Sequence, residues 1–348
     1  MTPTTTLAAW LESRTGDHPQ HMAVNQAVKA LSEAGRILSG IISQGDLAGC
    51  AEVETATNAD GDEQKELDIR ANDLVIELLQ DQPVAWLASE ELEEVQSLTK
   101  GAPLAIAIDP LDGSSNVDTI LSVGTIFSVF DATGFDPETG GEAAVLQNGR
   151  KQLAAGYIIY GPQTALVLTL GDGTHIFTLD RARRQYFLVR ENVQIPATTR
   201  EFAINASNFR HWDDNMRNYV EDCLAGEDGP RGANYNMRWL ASLVAEAQRI
   251  FSRGGIFLYP GDNRKGYANG RLRLVYEANA IAWLVEQAGG RASTGFGPIL
   301  DVEPGSVHER IPLIFGSAEE VSKVEEYYLD GRSSRQSPLF ATRGLFAT

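Results

Sequence analysis

Leu104-Ala-Ile-Ala-Ile-Asp-Pro-Leu-Asp-Gly-Ser-Ser115 decides how the rest of this 348-residue chain is read. The apolar run Leu104 to Ile108 is short enough for a fully buried strand rather than a helix. Asp109 ends the run, and Pro110, with no donor and a fixed φ, is expected to stop the ladder. Asp112 follows three residues on, with Gly113-Ser114-Ser115 directly after it. Two carboxylates just past a buried strand, before small residues able to open a helix, suit hard-cation ligands beside an anion-binding turn. An ordinary β-turn with two solvated aspartates uses the same residue types. The choice between them depends on what other acids share the pattern.

Val84-Ala-Trp-Leu-Ala88 followed by Ser89-Glu90-Glu91 repeats it: apolar strand, then acid. In open α/β sheets ligands gather at strand carboxyl ends, although Glu90-Glu91 taken alone reads as a solvated charge cluster. Asp62 and Asp68 flank the start of a helix whose buried face is Leu67, Leu74, Val75, Leu78 and Leu79, where capping accounts for either acid singly. Glu277 lies in the first half of a helix expected over 272–288 and ended by Gly289-Gly290; a surface glutamate is the competing reading. If these acids converge, like charges raise their pKa values unless cations occupy the site. Mg2+ or Mn2+ suits such an all-oxygen shell, with Leu111 able to offer its carbonyl. Metal-assisted phosphate-ester hydrolysis is the chemistry this set supports, with the amides of Gly113, Ser114 and Ser115 holding the phosphate.

Composition narrows the alternatives. A net charge of −18 argues against a nucleic-acid partner. Hydrophobic residues at 43% and charged residues at 22% suit a soluble globular protein with a sizeable core. Cys50 and Cys223 form no CxxC pair, which fits a reduced cytosol. The five histidines show no HExxH spacing, so zinc hydrolase chemistry is not expected. There is no Walker A sequence, no well-placed GxGxxG and no GxSxG elbow. With no signal-peptide pattern and no stretch near a membrane span, a soluble cytoplasmic protein is expected.

Along the chain, residues 1–20 read as unpatterned and 21–42 as an amphipathic helix. A strand is expected over 125–130, and 131–149 reads as an exposed loop. Strands 155–160, 164–170, 174–179 and 185–190 follow, the middle two joined by Gly171-Asp172-Gly173, a hairpin signal. This meander predicts an antiparallel or mixed sheet. The pattern restarts at Ile195-Pro196, dividing the chain into 1–195 and 196–330. The second part reads as strand 201–205, helices 212–224 and 239–251, strand 256–259, helix 272–288, a strand near 311–316 and helix 318–329. Residues 331–348 read as a flexible tail.

The stretches GDEQKELDIRANDL (61–74), ASEE (88–91), DPLDGSSN (109–116), SVGTIF (122–127), LAAGYIIYG (153–161), GGIFLYP (254–260) and LRLVYEANAIAWLVEQAGG (272–290) resemble class I fructose-1,6-bisphosphatases, within the lithium-sensitive phosphatase superfamily that includes inositol monophosphatase. The resemblance implies an α/β (α+β) fold, layered α-β-α-β-α with mixed sheets, and Mg2+-dependent removal of the 1-phosphate of fructose 1,6-bisphosphate in gluconeogenesis or a Calvin cycle. Sedoheptulose 1,7-bisphosphate as substrate, or both sugars, is the neighbouring expectation, and a silent sugar-phosphate sensor a more distant one. It implies that Glu90, Asp109, Asp112 and Glu277 bind two or three ions with the Leu111 carbonyl, Asp62 helping at a third. Asp68 and Glu91 fall on the pair that activates water. Gly113, Ser114 and Ser115 match holders of the 1-phosphate, and Asn205, Arg238 and Tyr259 contacts to the 6-phosphate. Arg238 would reach across from a neighbouring subunit of a homotetramer. Animal members carry tyrosines where this chain has Asn208 and Trp239, and lysine at Arg271, which keeps charge but changes geometry. They also carry a Lys-Tyr pair in their AMP site where this chain has Pro103-Leu104, so the resemblance leaves regulation by AMP open. The cysteine-free loop 131–149 implies no thioredoxin control through it.

Overall fold

The computed structural model describes residues 4–15, 18–48, 56–57, 63–64 and 66–330. Five layers alternate between helices and sheets. The outermost helices, Leu7–Thr15, Pro19–Ile42 and Glu66–Leu79, cover one face of an eight-stranded sheet. Strands of that sheet lie in the order 185–190, 175–180, 164–169, 152–160, 123–131, 104–112, 84–89, 96–97. Alternation sets which residue faces which layer. Leu104, Ile106 and Ile108 point to the outer helices, while Ala105 and Ala107 meet a short helix Gly141–Val145 and the segment Val275-Tyr276 on the other side. Each fully buried Ile or Leu of this strand contributes about 1.5–3 kcal/mol relative to exposure.

The middle layer consists of Leu243–Arg253 and Asn279–Gln287, packed between the large sheet through Ile126, Tyr157 and Val167 and a five-stranded sheet through Phe257, Ala292 and Phe315. That second sheet runs 236–237, 201–203, 256–259, 313–316, 291–293 and mixes parallel with antiparallel pairs. Its far face carries Phe202, Ile204, Ile256, Leu258 and Ile314 against helices Asp214–Leu224 and Ala318–Asp330. The layered α-β-α-β-α architecture with mixed sheets is the one expected. No helix among the described residues is long and apolar enough to cross a membrane.

Four local readings need correction. Residues 7–15 form a helix, not unpatterned chain, because Leu7, Trp10 and Leu11 make one apolar stripe buried on the sheet. The stretch 131–149 includes the helix Gly141–Val145, whose Ala144 and Val145 are buried. Pro110 does not stop its strand, which continues to Asp112 through a register shift against Val123–Asp131. A bulge leaves one residue unpaired, so it accommodates a residue with no N–H. Finally, 272–288 is not one regular helix: Leu272–Arg273 is extended, Leu274–Ala278 is a π-helical turn, and α-helix begins at Asn279.

Candidate active site

Strands 84–89 and 104–112 are the parallel pair in the large sheet, with Ser89 opposite Ile108. Parallel strands end at the same edge, so Glu90 and Asp109 emerge side by side there. The Glu90 amide donates to the Ile108 carbonyl at 3.1 Å, extending the ladder one residue. The Glu91 amide donates to Ser89 Oγ at 3.3 Å, and that hydroxyl donates to Asn72 Oδ1 of the outer helix at 2.7 Å. The bulge then carries the chain from Asp109 to Asp112. Asp109 Oδ1 accepts from the Leu111 amide at 2.9 Å, closing a local turn of side chain on backbone.

Glu277 comes from the π-turn, whose placement beneath the large sheet brings it across to this edge. Its Oε2 accepts from the Arg273 amide at 2.5 Å. Asp109, Asp112 and Glu277 each present a carboxylate oxygen within 4.8 Å of the other two, and all three are buried. Burial, then Glu90, Asp112 and Glu277 nearby, raises the Asp109 carboxyl well above the usual carboxylate range. Burial likewise pushes Asp112 up to about 7, opposed by the Val244 amide, which donates to it at 3.2 Å. Glu277 is raised for the same reasons as Asp109, chiefly burial and then Glu90. The buried guanidinium of Arg273 reaches the cluster at 3.7 Å from Glu90.

Oxygens so spaced fit one hard cation at the usual 2.0–2.6 Å from each, and the raised pKa values mark a group of acids that a divalent ion would ionise. The donor set therefore fits Mg2+, Mn2+ or Ca2+ and not a thiolate-seeking metal.

A cavity of about 520 Å3 opens from the acids. Asp68, buried in the first turn of Glu66–Leu79, and Glu91 line it together with Glu90, Asp109, Asp112 and Glu277. Leu111, Gly113, Ser114 and Ser115 form an adjoining side. Gly113 sits at φ +75° before the 3-10 turn Ser114–Thr119, a conformation that favours glycine. The opposite wall is aromatic and cationic. Trp239 stacks on Phe257 at 5.9 Å and 7°, Tyr259 lies beside both, and Arg271 is held over the Tyr267 ring.

Two expected residues do not line this cavity. Asn205 caps the turn Ala206–His211, its Oδ1 accepting from the Ser207 amide and hydroxyl at 3.2 and 2.6 Å. Arg238 is half exposed and lies 3.6 Å from Glu201, which also pairs with Arg249 and Arg253. Asp62 lies outside the described residues. Conversely, Arg273, Ser242 and Leu243 line the cavity and were not singled out from the sequence. Arg273 had a signal, a charged residue inside the apolar run 272–276, whereas Ser242 falls inside the helix expected over 239–251 and proves to be the cap of a helix that starts at Leu243.

An acid cluster suited to divalent ions, an amide-rich turn and a cationic aromatic wall around one cavity, on a layered α-β-α-β-α frame, define a phosphatase acting on small phosphorylated molecules. Two family models divide nearly the whole chain between them, the fructose-1-6-bisphosphatase N-terminal domain over residues 7–191 and its C-terminal domain over 195–329. The chain belongs to the fructose-1,6-bisphosphatase family. It is 52% identical over 343 residues to a class 1 fructose-1,6-bisphosphatase of Nitrobacter hamburgensis, covering 98% of each chain. It is 53% identical over 345 residues to one of Rhodopseudomonas palustris, covering 99% of this chain and 98% of that one. Its structure is similar to the holo form of Leishmania major fructose-1,6-bisphosphatase, with a TM-score of 0.86 at 31% identity over 94% of this chain and 99% of that one.

Proposed function

We propose that the protein hydrolyses fructose 1,6-bisphosphate to fructose 6-phosphate and inorganic phosphate. The observation that carries this is the full-length match to class 1 fructose-1,6-bisphosphatases, on a chain in which a single cavity joins the acid cluster to a cationic, aromatic wall. Glu90, Asp109, Asp112 and Glu277, with the Leu111 carbonyl, would hold two or three Mg2+ ions, Mn2+ serving as well. Bound there, the ions would polarise the phosphate and offset its charge against the acids.

The chain's own residues supply the rest. Gly113, Ser114 and Ser115 hold the 1-phosphate through amides and hydroxyls at the start of a turn. Asp68 and Glu91 orient the attacking water and take its proton as the new P–O bond forms and the bond to the sugar oxygen breaks. The sugar oxygen leaves as a hydroxyl, taking up the proton that water gave to the carboxylate pair, so charge and atoms balance. Arg271 and Tyr259 receive the 6-phosphate end, with Asn205 and, from a neighbouring subunit of a homotetramer, Arg238 completing it. Half exposure of Arg238 and its absence from the lining of its own chain's cavity support that assignment. We divide the chain at Ile195-Pro196 into a part that holds metal and phosphate and a part that holds the sugar phosphate. A cytoplasmic location goes with this reading.

The test is phosphate release with Mg2+ against fructose 1,6-bisphosphate, sedoheptulose 1,7-bisphosphate, inositol monophosphate and an adenosine bisphosphate. Fructose 1,6-bisphosphate is expected to be turned over; release from none of the sugar bisphosphates overturns the reading.

A further inference from the structure

One buried side chain links the two halves of the cavity without lining it. Asn116 is 8% exposed, and its Nδ2 donates to the Ala241 carbonyl at 2.7 Å. Its own backbone is fixed: the amide donates to the Gly113 carbonyl at 2.8 Å, and the carbonyl accepts from Thr119 Oγ1 at 3.0 Å and the Leu121 amide at 3.1 Å. A Cβ added to Gly113 would stand 3.3 Å from Asn116 Nδ2 and 4.0 Å from Ser242 Oγ, so the phosphate-holding turn, Asn116 and Ser242 pack as one contact.

The receiving loop is pinned residue by residue. Leu240 donates its amide to the buried Glu246 at 2.7 Å. Ala241 sits at φ +55°, a region that L-residues with a Cβ adopt only when the surroundings hold them there. Ser242 caps helix Leu243–Arg253, and Val244 donates to Asp112 at 3.2 Å. Gly124, paired with Asp112 across the sheet, makes that last bond reachable: a Cβ there would lie 2.6 Å from Val244 Cγ1. Two of these pins, on Ala241 and Val244, come from the 109–116 stretch. Two residues before Ala241 stands Trp239 of the opposite wall.

We propose that Asn116 is a positioning residue that sets the span between the phosphate-holding turn and the sugar-phosphate wall. The inference rests on the functional reading above. A ligand with a phosphate at each end feels the span, because its second end binds with an effective concentration that depends on the match of distances. A ligand that occupies one end does not.

Asn116→Asp keeps the shape and removes the donor, setting a carboxylate against the Ala241 carbonyl. The expected result is a fall of about 30- to 100-fold in kcat/KM for fructose 1,6-bisphosphate, with KM raised. The inhibition constants of inorganic phosphate and of fructose 6-phosphate, each a one-ended ligand, should stay within about twofold of the parent. Asn116→Ser, which retains a shorter donor, should show the same pattern with a smaller loss, and it carries the test alone if thermal unfolding shows that Asn116→Asp does not fold. Unchanged kcat/KM in a folded variant overturns the proposal, and so does a parallel weakening of either one-ended ligand, which would mean plain damage to a half-site. Failure of the unsubstituted protein to hydrolyse the bisphosphate would instead overturn the functional reading, before any variant is made.

Discussion

Two of the clusters of buried charge in this molecule are built on opposite rules. Between helices Asp214–Leu224 and Ala318–Asp330, Arg231 meets Glu320 at 2.6 Å with both side chains nearly covered. Tyr219 donates to the same carboxylate at 2.7 Å, the guanidinium donates to the Tyr235 hydroxyl at 2.7 Å, and Tyr327 donates to Asp222 at 2.6 Å. Glu320 pushes the Arg231 pKa further up, outweighing burial, so its charge is constant at any ordinary pH. At the cavity, Asp109, Asp112 and Glu277 are buried beside one another and beside Glu90, which Arg273 approaches at 3.7 Å. Burial of charge therefore does not itself mark a functional site. Imbalance does: the Arg231–Glu320 pair cancels its own charge, while the acid cluster sets several carboxylates against one guanidinium and calls for cations.

The largest expected effect falls on the unbalanced cluster. Asp112→Asn should lower kcat/KM by about 10³-fold or more and weaken Mg2+ binding in parallel, with the circular-dichroism spectrum unchanged. Full activity in that variant would break the contrast at once. The Arg231–Glu320 pair should respond the other way: Arg231→Met leaves Glu320 buried and uncompensated, costing about 3–5 kcal/mol in denaturant unfolding with kcat of the folded fraction retained. Loss of activity without loss of stability there would place the pair in the reaction.

Titration gives a third, smaller difference. Asp112 has its folded pKa raised to about 7 from 3.8, and Asp109 and Glu277 move the same way. A carboxyl that holds its proton more tightly when folded contributes stability that is full below about pH 4 and lost as pH rises to about 7. The metal-free protein should thus melt at a lower temperature at pH 8 than at pH 5, and millimolar Mg2+ should narrow that gap while releasing protons, measurable by calorimetry in buffers of different ionisation enthalpy. A metal-free melting temperature that rises over that range would remove the imbalance. The smallest effect is expected on the cationic wall. Arg271→Lys keeps the charge and gives up the planar contact with Tyr267, raising KM by about three- to tenfold with kcat little changed.

Much of this arrangement was legible in the chain because it is local. Apolar runs of strand length ending in acid placed Glu90, Glu91, Asp109 and Asp112, and two such runs lying parallel put their ends together. The meander over 155–190 read correctly as an antiparallel succession, since hairpin chemistry is written in two or three residues. What was not legible depends on partners distant in the chain. Pro110 looked like a strand stop because a bulge is defined by the neighbouring strand. The helix at 7–15 is too short to announce itself without the sheet that buries Leu7 and Trp10. Arg273 and Ser242 acquire meaning only when the 240–277 region is laid over the 109–116 stretch. Asn205 and Arg238 do not line the cavity, and nothing in the residues around them in the chain signals that.

The π-turn at Leu274–Ala278 can be viewed as an insertion rather than a shape. A helix with a π-turn carries one residue more than its regular counterpart, and such turns recur where a side chain must be re-aimed. Removing a single residue from that stretch would let the segment relax into regular α-helix with the flanking residues on nearly the same faces, so the aim that is lost is that of the side chains inside the turn. Glu277, inside the turn, would lose the placement that sets its carboxylate beside Asp109 and Asp112. The length of this segment is therefore tied to the acid cluster: a chain one residue shorter here should bind divalent ions less tightly, measurable by calorimetry on the folded variant.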